Sequence, residues 1–187
     1  VGLLCWRTAK AGGESLIASS TAIFNEILRT RPDYLPVLFR GFHYDLRGEG
    51  ATDDPDEVTF HRVPVFSWFD GRLSCRFNQK SIEDGMAKAG MPLTPQEKAA
   101  VDCVGELTLS DPLCHHLAFE QGDIQLLNNH TVLHSRTSFE DWPEADRKRN
   151  LLRLWVNLRE GRPLAPEFAE RLNTGPRGGV RVRAEIE

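Results

Sequence analysis

A chain of 187 residues, 40% of them apolar, has enough material for one sizeable core and too little for two, so a single domain over residues 1–187 is expected. The formal net charge of −4, with arginines dispersed except around Arg147 to Arg153 and at Arg177, Arg181 and Arg183, excludes a general nucleic-acid binder. Four cysteines, Cys5, Cys75, Cys103 and Cys114, form no CxxC pair, which argues against a disulfide framework or a zinc ribbon.

A reducing, cytoplasmic setting is the expectation, with no membrane partner, since no run of 18 apolar residues is present. The first residue is Val, and Val-Gly-Leu-Leu-Cys-Trp-Arg reads as a strand already under way. We therefore expect an N-terminal portion to precede Val1, carrying any targeting signal with it.

In chain order, the opening strand leads to Gly12-Gly13, a pair suited to a tight turn, and then to an extended segment at Leu16-Ile17. Ser19, Ser20 and Thr21 offer N-caps for a helix over Ala22 to Arg29, with Ile23, Ile27 and Leu28 on its buried side and Pro32 as its stop. Tyr34 to Phe39 suits one further helical turn. Gly48 to Asp56, rich in glycine and acids, reads as a mobile loop of the kind that acts as a lid.

Val63 to Asn78 contains a hairpin signal, with Asp70-Gly71 as a type I′ turn. That turn pairs Trp68 with Leu73 and Phe66 with Cys75, giving an apolar face of Phe66, Trp68, Leu73, Cys75 and Phe77 opposite Ser67, Arg72, Ser74 and Arg76. Lys80 to Ala89 reads as a weak helix. Thr94-Pro95-Gln96-Glu97 is a capping box with proline at the first helical position, opening a helix whose buried stripe is Ala100, Val101, Val104 and Leu107. Strands follow at Leu113 to Phe119 and at Ile124 to Leu127. Leu164 to Leu172 suits a helix and Asn173 to Glu187 a loose tail. Short strands with inserted helices, lacking regular strand-helix alternation, favour a mainly antiparallel, mainly β architecture of jelly-roll type.

The informative stretch is Gly122 to Arg153. It reads as two short strands, a loop and a third strand, with His134 ahead of Arg149 and Arg153. Side chains alternate across a strand, so Asn150, Leu152, Leu154, Val156 and Leu158 share one face, while Arg149, Leu151, Arg153 and Trp155 share the other. The first face is apolar beyond Asn150 and is expected to be packed. The second carries two guanidiniums suited to gripping a carboxylate.

Ala-Gly-Gly-Glu-Ser at residues 11–15, Gly-Asp-Ile-Gln-Leu-Leu-Asn-Asn before His134, and Arg149/Arg153 after it resemble the taurine dioxygenase (TauD/TfdA) family of iron(II)- and 2-oxoglutarate-dependent oxygenases. The resemblance implies a double-stranded β-helix (a cupin-like jelly roll) that uses Fe(II), 2-oxoglutarate and O2 to hydroxylate a small organic substrate, releasing succinate and carbon dioxide. It makes His134 an iron ligand and Arg149 the partner of the distal carboxylate of 2-oxoglutarate. Ser15 becomes a hydroxyl contact to the cosubstrate and Arg153 a second anion contact. His134 and Arg149 are then the candidate catalytic residues, with Ser15, Arg149 and Arg153 binding the cosubstrate.

One departure qualifies the match. The family's His-x-Asp or His-x-Glu element, which supplies the other two iron ligands, lies upstream of the Gly-Gly-Glu-Ser segment, and residues 1–14 hold neither His nor Asp. His43-Tyr44-Asp45 matches literally but lies downstream, in the wrong order, and reads better as a hydrogen-bonded strand. Cys114-His115-His116 has neighbours on opposite strand faces and cannot converge on one ion. His130 reads as a turn residue, beside Asn128 and Asn129, whose side chains tolerate left-handed turns.

The expectation is the C-terminal, larger part of an oxygenase, inactive by itself. A jelly-roll module that binds a small carboxylate without iron is the alternative. For Arg149 and Arg153 the alternative is an ion network with Glu140, Asp141 and Glu144. Substrate identity is not readable, although Trp68, Phe139 and Trp142 are candidate pocket walls, and a homo-oligomer is left open.

Overall fold

The computed structural model describes residues 1–47, 54–156, 158 and 161–170. The strands are β1 (Gly2–Arg7), β2 (Ala11–Gly12), β3 (Ser15–Ser19), β4 (Phe66–Phe69), β5 (Arg72–Cys75), β6 (Cys114–Leu117), β7 (Ile124–Leu126), β8 (Val132–Arg136), β9 (Phe139–Glu140) and β10 (Asn150–Leu154). The helices are α1 (Ser20–Thr30), α2 (Leu35–Arg40), α3 (Gln79–Lys88) and α4 (Pro95–Leu107). None of the described helices is long and apolar enough to cross a membrane.

Two three-stranded antiparallel sheets carry the candidate site, one ordered β10-β1-β7 and the other β6-β3-β8. The chain passes repeatedly from one to the other, as a jelly roll requires. The opening strand and the strand after Gly12-Gly13 are therefore not partners. Residues 11–12 instead pair with residues 139–140 as the small β2-β9 ladder. Gly12 and Gly13 both have positive φ, 68° and 78°, and a side chain at Gly12 would strike the Ser138 carbonyl.

In the first sheet, Leu3 pairs with Arg153 and Gln125, Leu4 with Leu152 and Ile124, and Gly2 with Leu154 and Leu126. The register shifts between Cys5, opposite Leu151, and Arg7, opposite Asn150, so Trp6 is the extra residue of a bulge. One face of this sheet is thus apolar across all three strands. It is not packed: Ile124, Leu126, Leu152 and Leu154 are 67%, 75%, 51% and 70% exposed, and Val156 and Leu158 continue the exposed row. Alternation fixed the phase of β10 correctly, but among the described residues nothing covers its apolar side.

The second sheet is covered on one side. Ala18 of β3 belongs to the main core, and Leu133 of β8 packs against it. Apart from Phe168, which follows β10, the rest of that core comes from the long insert between β3 and β6, with Ile23 and Ile27 of α1, Leu38 of α2, Ile82 of α3, and Val101 and Val104 of α4 all fully buried. Ser19 caps α1, accepting from the Ala22 N–H at 3.3 Å. Leu28, placed on its buried side by spacing, is half exposed. Thr94 and Glu97 form the reciprocal capping box of α4, and Glu97 also takes Arg40 at 2.9 Å and Arg62 at 3.3 Å.

The hairpin β4-β5 has the register read from its turn, with Asp70 and Gly71 at φ 48° and 69° as type I′ demands. Phe66 and Cys75 are buried, but Trp68 is 64% exposed, while Ser67 and Ser74 of the supposed polar face are buried. Distance from the core, more than strand face, decides burial at the turn end of this hairpin. Of the expected loop at Gly48 to Asp56, residues 48–53 lie outside the described residues, as does the tail from Asn173; of the expected helix at Leu164 to Leu172, a 3-10 turn spans Pro166–Glu170.

Gly85 of α3 lets that helix pack directly on the chain at His43 to Asp45, where a Cβ would meet the backbone of Tyr44 and Asp45. Gly85→Ala is expected to lower stability by about 3 kcal/mol, read as a lower urea midpoint with unchanged slope.

Candidate active site

The two sheets face one another, and a hydrogen bond identifies their inner surfaces. Ser15 in β3 donates from Oγ to Gln125 Oε1 of β7 at 2.8 Å, both residues being buried. The register then assigns the remaining inner positions. On one sheet they are Leu3, Cys5, Gln125, Leu151 and Arg153; on the other they are Ser15 with Leu117 and Arg136, and Ile17 with His115 and His134. Three of the four site residues read from the sequence, Ser15, His134 and Arg153, therefore line the space between the sheets.

The fourth, Arg149, enters from the turn before β10. Its backbone N–H is held by the Asp141 carboxylate at 2.7 Å, and its guanidinium reaches the Gly13 carbonyl at 3.4 Å. A side chain at Gly13 would come within 3.0 Å of Arg149 Nε, so the glycine admits the guanidinium. Phe139 supports two cations, with the Arg136 guanidinium 4.2 Å and that of Arg149 5.3 Å from its ring centre. Burial and the neighbouring Arg136 both weaken Arg149's hold on its proton, with Cys5 and Asp141 opposing them.

The ion-network alternative for these arginines is not what forms. Glu140 pairs with Lys10 and Glu144 with Arg147, while Asp141 meets Arg149 through its backbone N–H. Among the described residues no carboxylate pairs with the guanidinium of Arg149 or Arg153. The inner space thus presents cationic donors that an anion would satisfy.

His134 is exposed, yet desolvation of its ring, followed by the charge of Arg153, holds its pKa below the ordinary value of 6.5. The shift favours the neutral imidazole, the form that binds metal. It offers one candidate ligand. No group of three or more His, Cys, Asp or Glu side chains able to hold a metal ion exists among the described residues. The residues described here therefore do not fit a complete iron site.

The other metal candidates resolve as structure. Asp45 is buried and bonded to Lys88 at 3.0 Å and to the Arg47 N–H at 2.9 Å, while His43 Nδ1 lies 2.8 Å from the Thr59 carbonyl. His116 faces Glu14 at 3.1 Å, away from His115 and the inner surface. Asn128 shapes the turn before β8 by accepting the His130 N–H on its side chain at 3.0 Å; neither it nor Asn129 adopts positive φ. Trp142 stacks under Arg147. Trp68 lines a shallow depression with Arg40, Arg62 and Pro166, which includes none of the four site residues.

Sequence reasoning missed Gln125. A glutamine inside a strand carries no spacing signal, and only the register shows it turned inward beside Ser15. Its Nε2 is buried without a hydrogen-bond partner, an arrangement that costs roughly 1–3 kcal/mol in the absence of a ligand.

The family model for "Taurine catabolism dioxygenase TauD, TfdA family" matches residues 1–155. The chain belongs to the TauD/TfdA family. FR-33289 synthase of Streptomyces rubellomurinus is 35% identical over 187 residues, an alignment covering 98% of this chain and 52% of that protein. The taurine hydroxylase-like protein SAT17 of Stachybotrys chartarum is 32% identical over 161 residues, covering 82% of this chain and 39% of its own. This TauD/TfdA chain thus spans about half the length of the first relative and less of the second.

Among solved structures, asparagine oxygenase in complex with Fe(II), 2S,3S-3-hydroxyasparagine and succinate matches with a TM-score of 0.56 at 16% identity, over 80% of this chain and 42% of its own. The non-heme iron oxygenase OrfP in complex with Fe matches with a TM-score of 0.52 at 15% identity, over 80% and 43%. At such identities the likeness establishes the fold, a double-stranded β-helix.

A pH dependence follows from the turn leading into β8. His130 stacks on Phe168 with ring centres 6.0 Å apart, and its Nδ1 is buried without a partner. Burial, with the charges of Arg76 and Arg162, lowers its pKa from 6.5 to about 4. The unfolded chain therefore takes up this proton near pH 6.5 and the folded chain only near 4, so stability is lost as pH falls between those values. His130→Phe is expected to reduce the drop in urea midpoint between about pH 7 and about pH 5. The variant separates this loss from that of Asp45 and Glu97, whose lowered pKa values also cost stability in acid.

Proposed function

We propose that this chain carries the cosubstrate-binding side of an Fe(II)- and 2-oxoglutarate-dependent dioxygenase that hydroxylates a small organic molecule. The observation that carries the reading is the Arg149 guanidinium, set against Phe139 beside Arg136 and the Gly13 carbonyl, with no carboxylate partner among the described residues. A dicarboxylate supplies what that position lacks. Arg149 takes the distal carboxylate of 2-oxoglutarate, the Ser15 hydroxyl lies two residues beyond Gly13 to bond the same cosubstrate, and Arg153 offers a second cationic contact across Leu3 from Gln125.

His134 is the residue of this chain that would hold iron, and its neutral imidazole suits the task. In such enzymes the iron, 2-oxoglutarate and O2 together supply the oxidising power for hydroxylation of a C–H bond. The chain's own contribution is to orient the cosubstrate. This chain alone is expected to bind 2-oxoglutarate without turning it over.

Binding of 2-oxoglutarate, followed by ligand-observed NMR, tests the reading. Arg149→Ala should weaken it about a hundredfold, the loss expected for a charge-assisted paired contact of about 3 kcal/mol. Equal binding by the parent and Arg149→Ala would remove Arg149 from the anion site. Succinate formation by the chain with added Fe(II) would overturn the expectation that it is inactive alone.

A further inference from the structure

The Ser15-Gln125 pair is a built polar site that the reading above does not use in full. Ser15 is 5% and Gln125 9% exposed, and their side chains meet at 2.8 Å between sheets that share no strand. Gln125 Nε2 is shut off from solvent and has no partner.

Counting protons shows what the pair lacks. With Ser15 donating to Gln125 Oε1, the carboxamide keeps two N–H donors unspent. With the amide turned by half a rotation, one Nε2 N–H donates to Ser15, and the other N–H and the hydroxyl proton are the unspent donors. Both arrangements call for an acceptor in the inner space. The surroundings are built for a negatively charged one: Leu3 separates Gln125 from Arg153 in register, and Gly13, two residues before Ser15, carries the Arg149 guanidinium on its carbonyl. Leu117 and Arg136, the strand neighbours of Ser15, are exposed, so the pair lies one position in from an open rim.

We infer that Gln125 is a further cosubstrate-binding residue, whose carboxamide acts with the Ser15 hydroxyl as one donor unit for a carboxylate of 2-oxoglutarate. The inference rests on the proposed function and extends it to a residue outside the arginine, serine and histidine set. Gln125 supplies neutral donors, so it orients the anion while leaving the charge balance to the two arginines.

The test is the dissociation constant for 2-oxoglutarate, from ligand-observed NMR titration of the whole chain, alongside the urea midpoint. Gln125→Met keeps length and volume while removing the donors and the orphaned amide. It should bind about tenfold more weakly while the midpoint holds or rises. A purely structural glutamine would show the reverse, a lower midpoint with the affinity kept. Ser15→Ala should lose a similar factor, and the double variant should lose less than the product of the two, as one donor unit requires.

Should Gln125→Met fail to fold, Gln125→Glu decides: it keeps the shape and sets a negative charge against the anion, so a loss of about tenfold or more supports the inference and unchanged binding overturns it. Unchanged affinity in a folded Gln125→Met overturns the inference and leaves the proposed function standing. Absence of binding by the parent chain overturns both.

Discussion

The site depends on two small sheets set face to face, with one hydrogen bond between their inner surfaces among the described residues, while most of the protein's apolar burial lies elsewhere. The dense core belongs to the long insert and to one side of the β6-β3-β8 sheet. Between the sheets the Ser15-Gln125 bond joins the central strand of one to an edge strand of the other. A polar bond worth about 1 kcal/mol net adds little to stability, but its directionality fixes which residues face inward. The inner surface is thus poorly sealed and rich in donors, a poor core and a suitable receptor for an anion.

Glycine serves that receptor in a particular way. Gly12 and Gly13 bring the start of β3 against the Ser138 carbonyl and the Arg149 side chain, approaches that a Cβ would block. Two stretches more than a hundred residues apart in sequence are thereby held in register, Ala11 to Gly12 with Phe139 to Glu140. Arg149 then has a carbonyl on one side and an aromatic ring nearby. Its guanidinium is placed by backbone and ring, and its charge remains unspent.

What could be read from the sequence was whatever is written in local chemistry. The Asp70-Gly71 turn, the Thr94 to Glu97 capping box and the alternating phase of β10 need no knowledge of distant residues, and each is found in the structure. The resemblance picked out Ser15, His134 and Arg153 by role, and it is the register that puts them on facing strands. Burial was not legible in the same way. Alternation says that Leu152 and Leu154 share a side, not whether anything lies against it, and their exposure could not be read from phase alone. Trp68 failed for the same reason at the tip of its hairpin. Gln125 was invisible because its meaning comes from a partner 110 positions away.

The bulge at Trp6 has a consequence for the arginines of β10. In an unbroken ladder Trp6 would stand opposite Asn150 and Arg7 opposite Arg149, which would hold Arg149 in the pleat. Because one extra residue is accommodated between Cys5 and Arg7, Arg7 is opposite Asn150 and the ladder ends there, while the Arg149 N–H is held by Asp141. Strict alternation therefore stops one residue short of Arg149, whose direction is set by the turn rather than by the pleat. Arg153 stays tied to the sheet and Arg149 is steered independently of it. Two cations four residues apart can in this way approach different ends of one bound molecule, which a straight strand would hold in a parallel row.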